Sequence, residues 1–280
     1  MSQSHLCVSI VLYQTPIKQI KRCLESLVVS LAESFLASLH RNGTLILIDN
    51  SEVPLICNEL RGWIQCEFQK VGFEFKSIEG HGNIGYGSAQ NKAIEKRSMS
   101  DDAYHIFMNP DVELEEKAII SGLKYLSLNR EVCMVSPSSL SFSGDRQFLC
   151  KTYPTVFDLL LRAIPWARFK KKFDVRMARY EMREISNSSL AKEVAFASGC
   201  FMLCRHDAIS RISGFDEKYF MYFEDFDLSL RLTKVGKLMY LPSMKIRHAG
   251  GNASRKGFQH IAMFIRSAAR FFNKHGWRWY

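Results

Sequence analysis

The sequence lacks several features that would place it early. No apolar run reaches the roughly 18–20 residues a helix needs to cross a bilayer. The longest candidate, Leu27 to Leu39, is interrupted by Ser30, Glu33, Ser34 and Ser38 and predicts an amphipathic helix. The amino terminus, MSQSHLCVSIVLY, has neither the charged region nor the small-residue cleavage site of a secretory leader. No C-x-x-C occurs among the eight cysteines, whose tightest pair is Cys200 and Cys204. That spacing argues against structural zinc. Cysteines inside apolar runs such as LCVSIVLY and CFMLC read as reduced, buried small hydrophobes. We therefore expect a soluble, intracellular protein. Internal repeats are absent too, and 280 residues at 47% hydrophobic and 24% charged are enough to bury a sizeable core.

Acid is missing from one end. From Leu228 to Tyr280 there are eleven Lys and Arg and neither Asp nor Glu, more than the whole chain's net charge of +10. Between Arg162 and Arg183, eight basic residues face only Asp174 and Glu181. Such asymmetry points to a polyanionic partner: nucleic acid, an anionic membrane surface, or phosphates.

The first half alternates strand-like and helical patterns. Leu6–Tyr13, Thr44–Asp49, Phe73–Ile78 and Tyr104–Met108 predict strands. Helices are predicted from Pro16 to about His40, from about Ala89 to Lys96 and from about Glu115 to Leu128, the last leading to VCMVS. This alternation predicts a parallel sheet with helices on both faces. Residues 142–189 show no strand pattern, and strand character returns at VAFASGCFMLCR. In an open parallel sheet, ligands bind at the carboxyl ends of strands. Those ends here are Tyr13-Gln14-Thr15, Asp49-Asn50-Ser51, the HGNIGYG loop and Asn109-Pro110-Asp111. Each alone reads equally as a turn; together they would line one cleft.

GNIGYGSAQN has the wrong spacing and place for a dinucleotide fingerprint, although its glycines permit close backbone approach to a ligand. Asp111 is either a helix cap or a hard oxygen ligand for Mg²⁺ or Mn²⁺. FEDFDLSLR carries three carboxylates in four residues, flanked by the aromatic wall of Tyr219, Phe220, Tyr222 and Phe223. Acids at a helix start complement the macrodipole, but apolar surroundings also raise a carboxylate toward general-base use. His248 follows in IRHAGG, as a structural residue or a ligand.

The ordered set SIVLYQ, IDNS, GNIGYGSAQN, NPDV, ASGCFMLCR, GFDEKYFMYFEDFDLSLR, RHAGG and FIRSAARFFNKH resembles the inverting family 2 glycosyltransferases of the GT-A fold. More narrowly, it resembles their bacterial rhamnosyltransferase-like members. The resemblance spans nearly the whole chain. It implies an α/β fold with a Rossmann-like, mostly parallel sheet, flanking helices and a basic C-terminal helical extension. Residues 1–111 would form the nucleotide-sugar half, 112–250 the acceptor-binding and catalytic half, and 251–280 a basic amphipathic helix. It implies a nucleotide-sugar donor lined by Tyr13, Asn83, Gly85, Asn91 and Asn109, with Asp49 reading the base. Asp111 would be the last acid of a D-x-D motif holding Mg²⁺ or Mn²⁺, joined by His248. Asp225 would be the catalytic base, with Glu224 and Tyr222 on the acceptor side and Arg231 facing the departing diphosphate.

Two positions depart from the pattern: Gln14 stands where Asn is usual, and Asn109 replaces the first acid of D-x-D, which puts more weight on His248 and the donor diphosphate. The implied reaction is a single inverting displacement. NPDV points to dTDP-β-L-rhamnose as donor, with a UDP-hexose as the alternative. The implied acceptor is a glycan or a polyprenyl-diphosphate-linked saccharide of O-antigen or capsule synthesis, met at the inner face of the cytoplasmic membrane.

Two rivals fit less well. A nucleic-acid-binding protein would explain the basic tail, but no groove-reading motif is present, and we expect no nucleic-acid partner. A nucleotidyltransferase would want a Gly-rich signature where YQTPIKQ stands. In the tail, Phe258, Ile261, Ala262, Ile265, Ala268, Ala269 and Phe272 recur at helical spacing, with Arg266, Arg270 and Lys274 on another face. Trp277, Trp279 and Tyr280 close the chain. Cations beside interfacial aromatics predict peripheral binding to an anionic membrane through this tail and the Arg162–Arg183 stretch.

Overall fold

Alternation within the first strand sets the layering. In β1 (Ser4–Leu12), Leu6, Val8, Ile10 and Leu12 enter one core while Cys7 and Val11 enter another on the opposite face. The computed structural model describes residues 4–95, 103–163, 171–250 and 257–280. After β1 come α1 (Ile17–Leu36), β2 (His40–Asp49), α2 (Asn58–Gln69), β3 (Phe73–Ile78), α3 (Tyr86–Glu95) and β4 (Tyr104–Met108). β5 (Val112–Leu114), α4 (Ala118–Leu128) and β6 (Val132–Leu140) follow. The middle holds β7 (Arg146–Gln147), β8 (Cys150–Lys151), α5 (Val156–Ala163), α6 (Asp174–Tyr180) and α7 (Arg183–Ser186). The remainder is β9 (Lys192–Glu193), β10 (Phe196–Ala197), β11 (Phe201–Arg205), α8 (His206–Arg211), α9 (Glu224–Leu232), β12 (Lys237–His248) and α10 (Phe258–His275).

The main sheet runs β3-β2-β1-β4-β11-β6-β12-β5. β3, β2, β1 and β4 are mutually parallel, and β11 is antiparallel to both β4 and β6. From β1 the chain winds outward through β2 to β3, then crosses to β4 on the other side of β1. That reversal of strand order opens a crevice at the carboxyl ends of β1 and β4. Because β11 is antiparallel, its start also reaches this edge: the Asn109 N–H donates to Cys200 O at 2.8 Å.

Several elements differ from the sequence reading. α1 stops at Leu36 rather than near His40, because Ser38 turns into the left-handed region and His40 already pairs in β2. Helix α2 and strand β12 carry no clean periodicity and were not expected; β12 is irregular between Leu241 and Lys245. Residues 142–189, expected to lack strands, contain β7 and β8. The predicted end of α3 at Lys96, and part of the Arg162–Arg183 stretch, lie outside the described residues. All eight cysteines are free; Cys57 and Cys66 are exposed and the other six are buried. Among the described residues no helix is long and apolar enough to cross a membrane.

The tail departs most from the expected single apolar face. The second half of α10 is the more deeply packed: Ala268, Phe271 and Phe272 join Phe196, Tyr219 and Phe223 in one cluster, with Phe264 of the first half against its edge. In the first half, Phe258 is 90% exposed and Ile265 61%. The terminal aromatics fold back on the protein instead of projecting from it. Trp277 stacks on Phe272, and Arg176 lies 4.2 Å from the Tyr280 ring centroid. The Arg278 and Trp279 carbonyls accept the Val156 and Phe157 N–H groups at the start of α5. The tail's charge is partly consumed as well. Lys274 Nζ and His275 Nε2 lie 2.6 and 2.8 Å from Asp227 Oδ1, while Arg231 Nε holds Oδ2 at 2.7 Å. Asp227 is fully buried, and these partners hold its carboxyl below the usual range against the opposing effect of burial.

Removing one side of a buried ion network leaves the other side uncompensated. Asp227→Ala should therefore lower the unfolding free energy by about 3–5 kcal/mol, read as a shift in the urea midpoint. A change within half a kilocalorie would mean the network is not a structural clamp.

Candidate active site

The crevice collects most of the predicted positions. At the end of β1, the Gln14 N–H donates to Ser51 Oγ at 3.0 Å, tying this turn to the end of β2. Gln14 itself has φ +49, a left-handed conformation suited to a short polar side chain or glycine. Tyr13, 45% exposed, stands at the mouth. Asn50, placed in the cleft by the sequence reading only as part of a strand end, reaches across to donate to Gly85 O at 3.2 Å, and its Oδ1 is buried without a partner.

The glycine loop is held from within. Asn83 Oδ1 accepts the Gly85 N–H at 3.1 Å. Gly85 has φ +85, and a Cβ there would come within 2.3 Å of Phe220 O, so no other residue fits. The Tyr86 N–H donates to that same carbonyl, and its hydroxyl donates to Gly199 O at 2.8 Å. Tyr86 thus links the loop to the catalytic edge, a role no sequence signal marked.

The acid cluster divides by direction. Asp225 Oδ2 accepts the Gly199 N–H at 3.0 Å and Oδ1 the Phe226 N–H at 2.9 Å. Glu224 beside it is 8% exposed, and its Oε2 has no partner. Burial pushes both carboxyls above their ordinary values; Glu224 is raised further by the charge of Asp225. Asp227, one turn along, faces the opposite way into the tail. The helix is entered through two consecutive left-handed residues, Tyr222 (φ 70) and Phe223 (φ 63). Strain of this kind persists only where packing over-determines it, and here the Tyr222 hydroxyl bonds to His260 Nδ1 at 2.8 Å.

On the other side of the crevice, Asp111 Oδ2 lies 3.3 Å from His248 Nε2, and Asp111 Oδ1 is buried without a partner. Gln147 Oε1 is 3.1 Å from His248 Nδ1, and Gln147 Nε2 donates to His248 O. A histidine held at one ring nitrogen by a side-chain amide, with the other nitrogen facing a carboxylate, has the outer support typical of a metal-ligating imidazole. An orphaned carboxylate oxygen beside an imidazole nitrogen fits a divalent cation, but supplies only two ligands. Among the described residues no third His, Cys, Asp or Glu joins them. Asn109 sits two residues before Asp111, half-buried. Cys200 lies within electrostatic reach of both acids: burial raises its thiol first, and the charges of Asp111 and Asp225 add to it.

Three expected donor residues also carry structural hydrogen bonds. Asp49 is fully buried, with Oδ1 accepting the Ser51 N–H and Oδ2 the Leu55 N–H, so it pins the loop after β2. Asn91 makes three hydrogen bonds to Phe215 and Glu217 and braces that loop. Arg231 holds Asp227 and the carbonyls of Ile212 and Gly214, and its second terminal nitrogen has no partner.

A sheet with this switch point, a carboxylate pair at one lip and an Asp–His pair at the other, can be compared with solved structures of the same fold. GalNAc-T7 with UDP, GalNAc and Mn²⁺ superposes with TM-score 0.60 at 14% identity, covering 87% of this chain and 42% of that one. TarS of S. aureus superposes with TM-score 0.55 at 11% identity, covering 96% and 40%. This chain therefore spans less than half of either neighbour. No family model matches it.

The curated relatives the chain resembles in sequence are named as rhamnosyltransferases. Rhamnosyltransferase WbbL of Escherichia coli K12 is 27% identical, over 68% of this chain and 72% of its own length. N-acetylglucosaminyl-diphospho-decaprenol L-rhamnosyltransferase of Mycobacterium tuberculosis is 29% identical, over 88% and 81%.

The raised Glu224 carboxyl has a thermodynamic consequence. A group that holds its proton more tightly when folded contributes stability at low pH, and that contribution is lost as pH rises through its raised value. Glu224→Gln should therefore flatten thermal stability between about pH 5 and pH 9 and exceed wild type at the alkaline end. Parallel melting curves for the two proteins across that range would remove the buried charge from the account.

Proposed function

We propose that the protein transfers L-rhamnose, with inversion, from a nucleotide-activated donor to a hydroxyl of a saccharide carried on polyprenyl diphosphate, in the synthesis of a cell-surface polysaccharide. The observation that carries this is Asp225, an accessible carboxylate fixed by two backbone N–H groups across the crevice from the Asp111–His248 pair. The kinship with rhamnosyltransferases, one of them named for a decaprenyl-diphosphate acceptor, supports the choice of sugar and acceptor.

The mechanism follows from the residues. Asp225 accepts the proton of the acceptor hydroxyl as that oxygen attacks the anomeric carbon. Burial favours this, because a carboxylate raised above its usual range is a stronger base, while the Gly199 and Phe226 N–H groups keep its lone pairs aimed. Tyr222 and Glu224 flank the acceptor side, and Tyr13, Asn50, Asn83, Gly85 and Asn109 shape the donor side. Asp111 and His248 would hold Mg²⁺ or Mn²⁺, which supplies Lewis-acid neutralisation of the leaving diphosphate. Asp225→Asn should retain donor binding while kcat falls roughly 10²–10⁴-fold. The assay is released nucleoside diphosphate from a panel of dTDP-rhamnose, UDP-galactose, UDP-glucose and UDP-N-acetylglucosamine with Mg²⁺ or Mn²⁺. Turnover of a UDP-hexose alone would replace the rhamnose reading, and wild-type rate in the variant would remove Asp225 from the mechanism.

A lipid-carried acceptor also requires the enzyme to sit at the cytoplasmic face of the membrane. Phe258, Ile261 and Ile265 form an exposed apolar stripe on the first half of α10, with exposed Arg266 alongside. That half packs by Phe264 and His260 on Tyr222, so the stripe lies beside the acceptor entrance. We expect Phe258→Ser with Ile265→Ser to abolish co-sedimentation with phosphatidylglycerol vesicles and leave unfolding unchanged. Equal recovery of the two proteins in the pellet would place the contact elsewhere.

A further inference from the structure

A second basic cluster lies against the catalytic edge and has no anion of its own. β8 pairs antiparallel with β10, setting Lys151 opposite Phe196. Three residues further along is Gly199, whose N–H holds Asp225, a chain distance of at most about 11 Å. Lys151 Nζ and the Arg162 guanidinium lie 5.9 and 6.0 Å from the centroid of one ring, Tyr180. Tyr180 is 2% exposed, and its hydroxyl lies close to the Arg162 side chain. Lys151 is bonded only to the Phe148 carbonyl. The nearest acid, Glu181, is taken by Arg183 at 2.8 Å. Among the described residues neither Lys151 nor Arg162 makes an ion pair. Arg162 is exposed and Lys151 half-buried, so two cations without a counter-ion stand where an anion can reach them.

The electrostatics point the same way. Burial lowers the Lys151 ammonium to about 8, with Arg162 adding repulsion, as expected of a cation waiting for a partner. Arg162 and Tyr180 are both within electrostatic reach of Asp225. In an inverting displacement the nucleophile and leaving group stand on opposite faces of the anomeric carbon. Cations gathered on the side of the base therefore belong to the acceptor, not to the donor diphosphate.

We propose that Lys151, Arg162 and the Tyr180 hydroxyl bind the diphosphate of the acceptor, an inference that rests on the acceptor class read above. The two guanidinium and ammonium charges take the phosphate oxygens while the Tyr180 O–H donates a further hydrogen bond. This places the first sugar of the acceptor between the pocket and Asp225, and gives the enzyme a way to prefer lipid diphosphate-linked saccharides over free glycans.

Calorimetric titration with farnesyl diphosphate tests this in saturating dTDP, so that the donor diphosphate site is filled. Lys151→Met and Arg162→Gln should each weaken binding about tenfold, and Tyr180→Phe, which keeps the ring, should weaken it to a smaller extent. Farnesol should bind none of the proteins measurably. Affinity for farnesyl diphosphate unchanged in both cation variants would overturn the proposal. So would a loss of binding to phosphatidylglycerol vesicles with farnesyl diphosphate affinity intact, which would make the pocket a phospholipid headgroup site. A separate dTDP isotherm distinguishes failure of the glycosyltransfer reading from failure of the pocket: absent dTDP binding bears on the former, unchanged farnesyl diphosphate affinity on the latter.

Discussion

Asp227 is a full charge with no exposure to water, and the position of the catalytic edge depends on how it is neutralised. Its three partners come from two elements: Arg231 from the same helix, Lys274 and His275 from the end of α10. A carboxylate in that environment tolerates little displacement, because desolvation is offset only while all its hydrogen bonds persist. The rotation of α9 about its axis is thereby fixed. With Asp227 turned into the tail, Asp225, on the other side of the helix, turns toward Gly199. The terminal helix thus helps to set the orientation of Asp225.

The same constraint explains how a chain of net charge +10 distributes its cations. Arg231 and Lys274 are spent on Asp227 and Asp216, and Arg278 lies over Tyr153. What looked in the sequence like one acid-free basic surface is a set of separate structural contacts plus a smaller number of unmatched groups. The acids that neutralise the tail lie upstream of it, at 216 and 227, so a window drawn from Leu228 onward counts cations without their partners.

Legibility followed the range of the interactions. β3 and β4 were read at their observed limits because their apolar patterns are local and unbroken. β12 was not, since Pro242 and the irregularity before Lys245 interrupt any period of two. Within the site, the acid cluster, the glycine loop and the Asp111–His248 pair were visible as motifs. The fates of Asp49, Asn91 and Arg231 were not. Asn91 is spent on residues 124 positions away in sequence, and nothing near it in the chain announces that. Residue type alone cannot separate a side chain that lines a ligand from one that braces the loop lining it. The roles of Asn50, Tyr86 and Gln147 were missed for the converse reason: they are common residues whose importance lies entirely in what they reach.

The two lips of the crevice solve opposite electrostatic problems. At Asp111 the carboxylate has one oxygen orphaned beside the His248 ring, so that lip is short of positive charge and suits a cation. At Lys151 and Arg162 the excess is positive, so that lip suits an anion. Asp225 is raised by burial and drawn back by the Gly199 and Phe226 N–H groups and, to a smaller extent, by Arg162. An anion seated against Arg162 would cancel that smaller pull and leave burial to raise the carboxyl further. Acceptor binding would then do more than supply the nucleophile: by neutralising the cation nearest to Asp225, it would strengthen the base in the complex that needs it and leave it weaker in the empty enzyme, where a strong base beside an activated donor would favour attack by water.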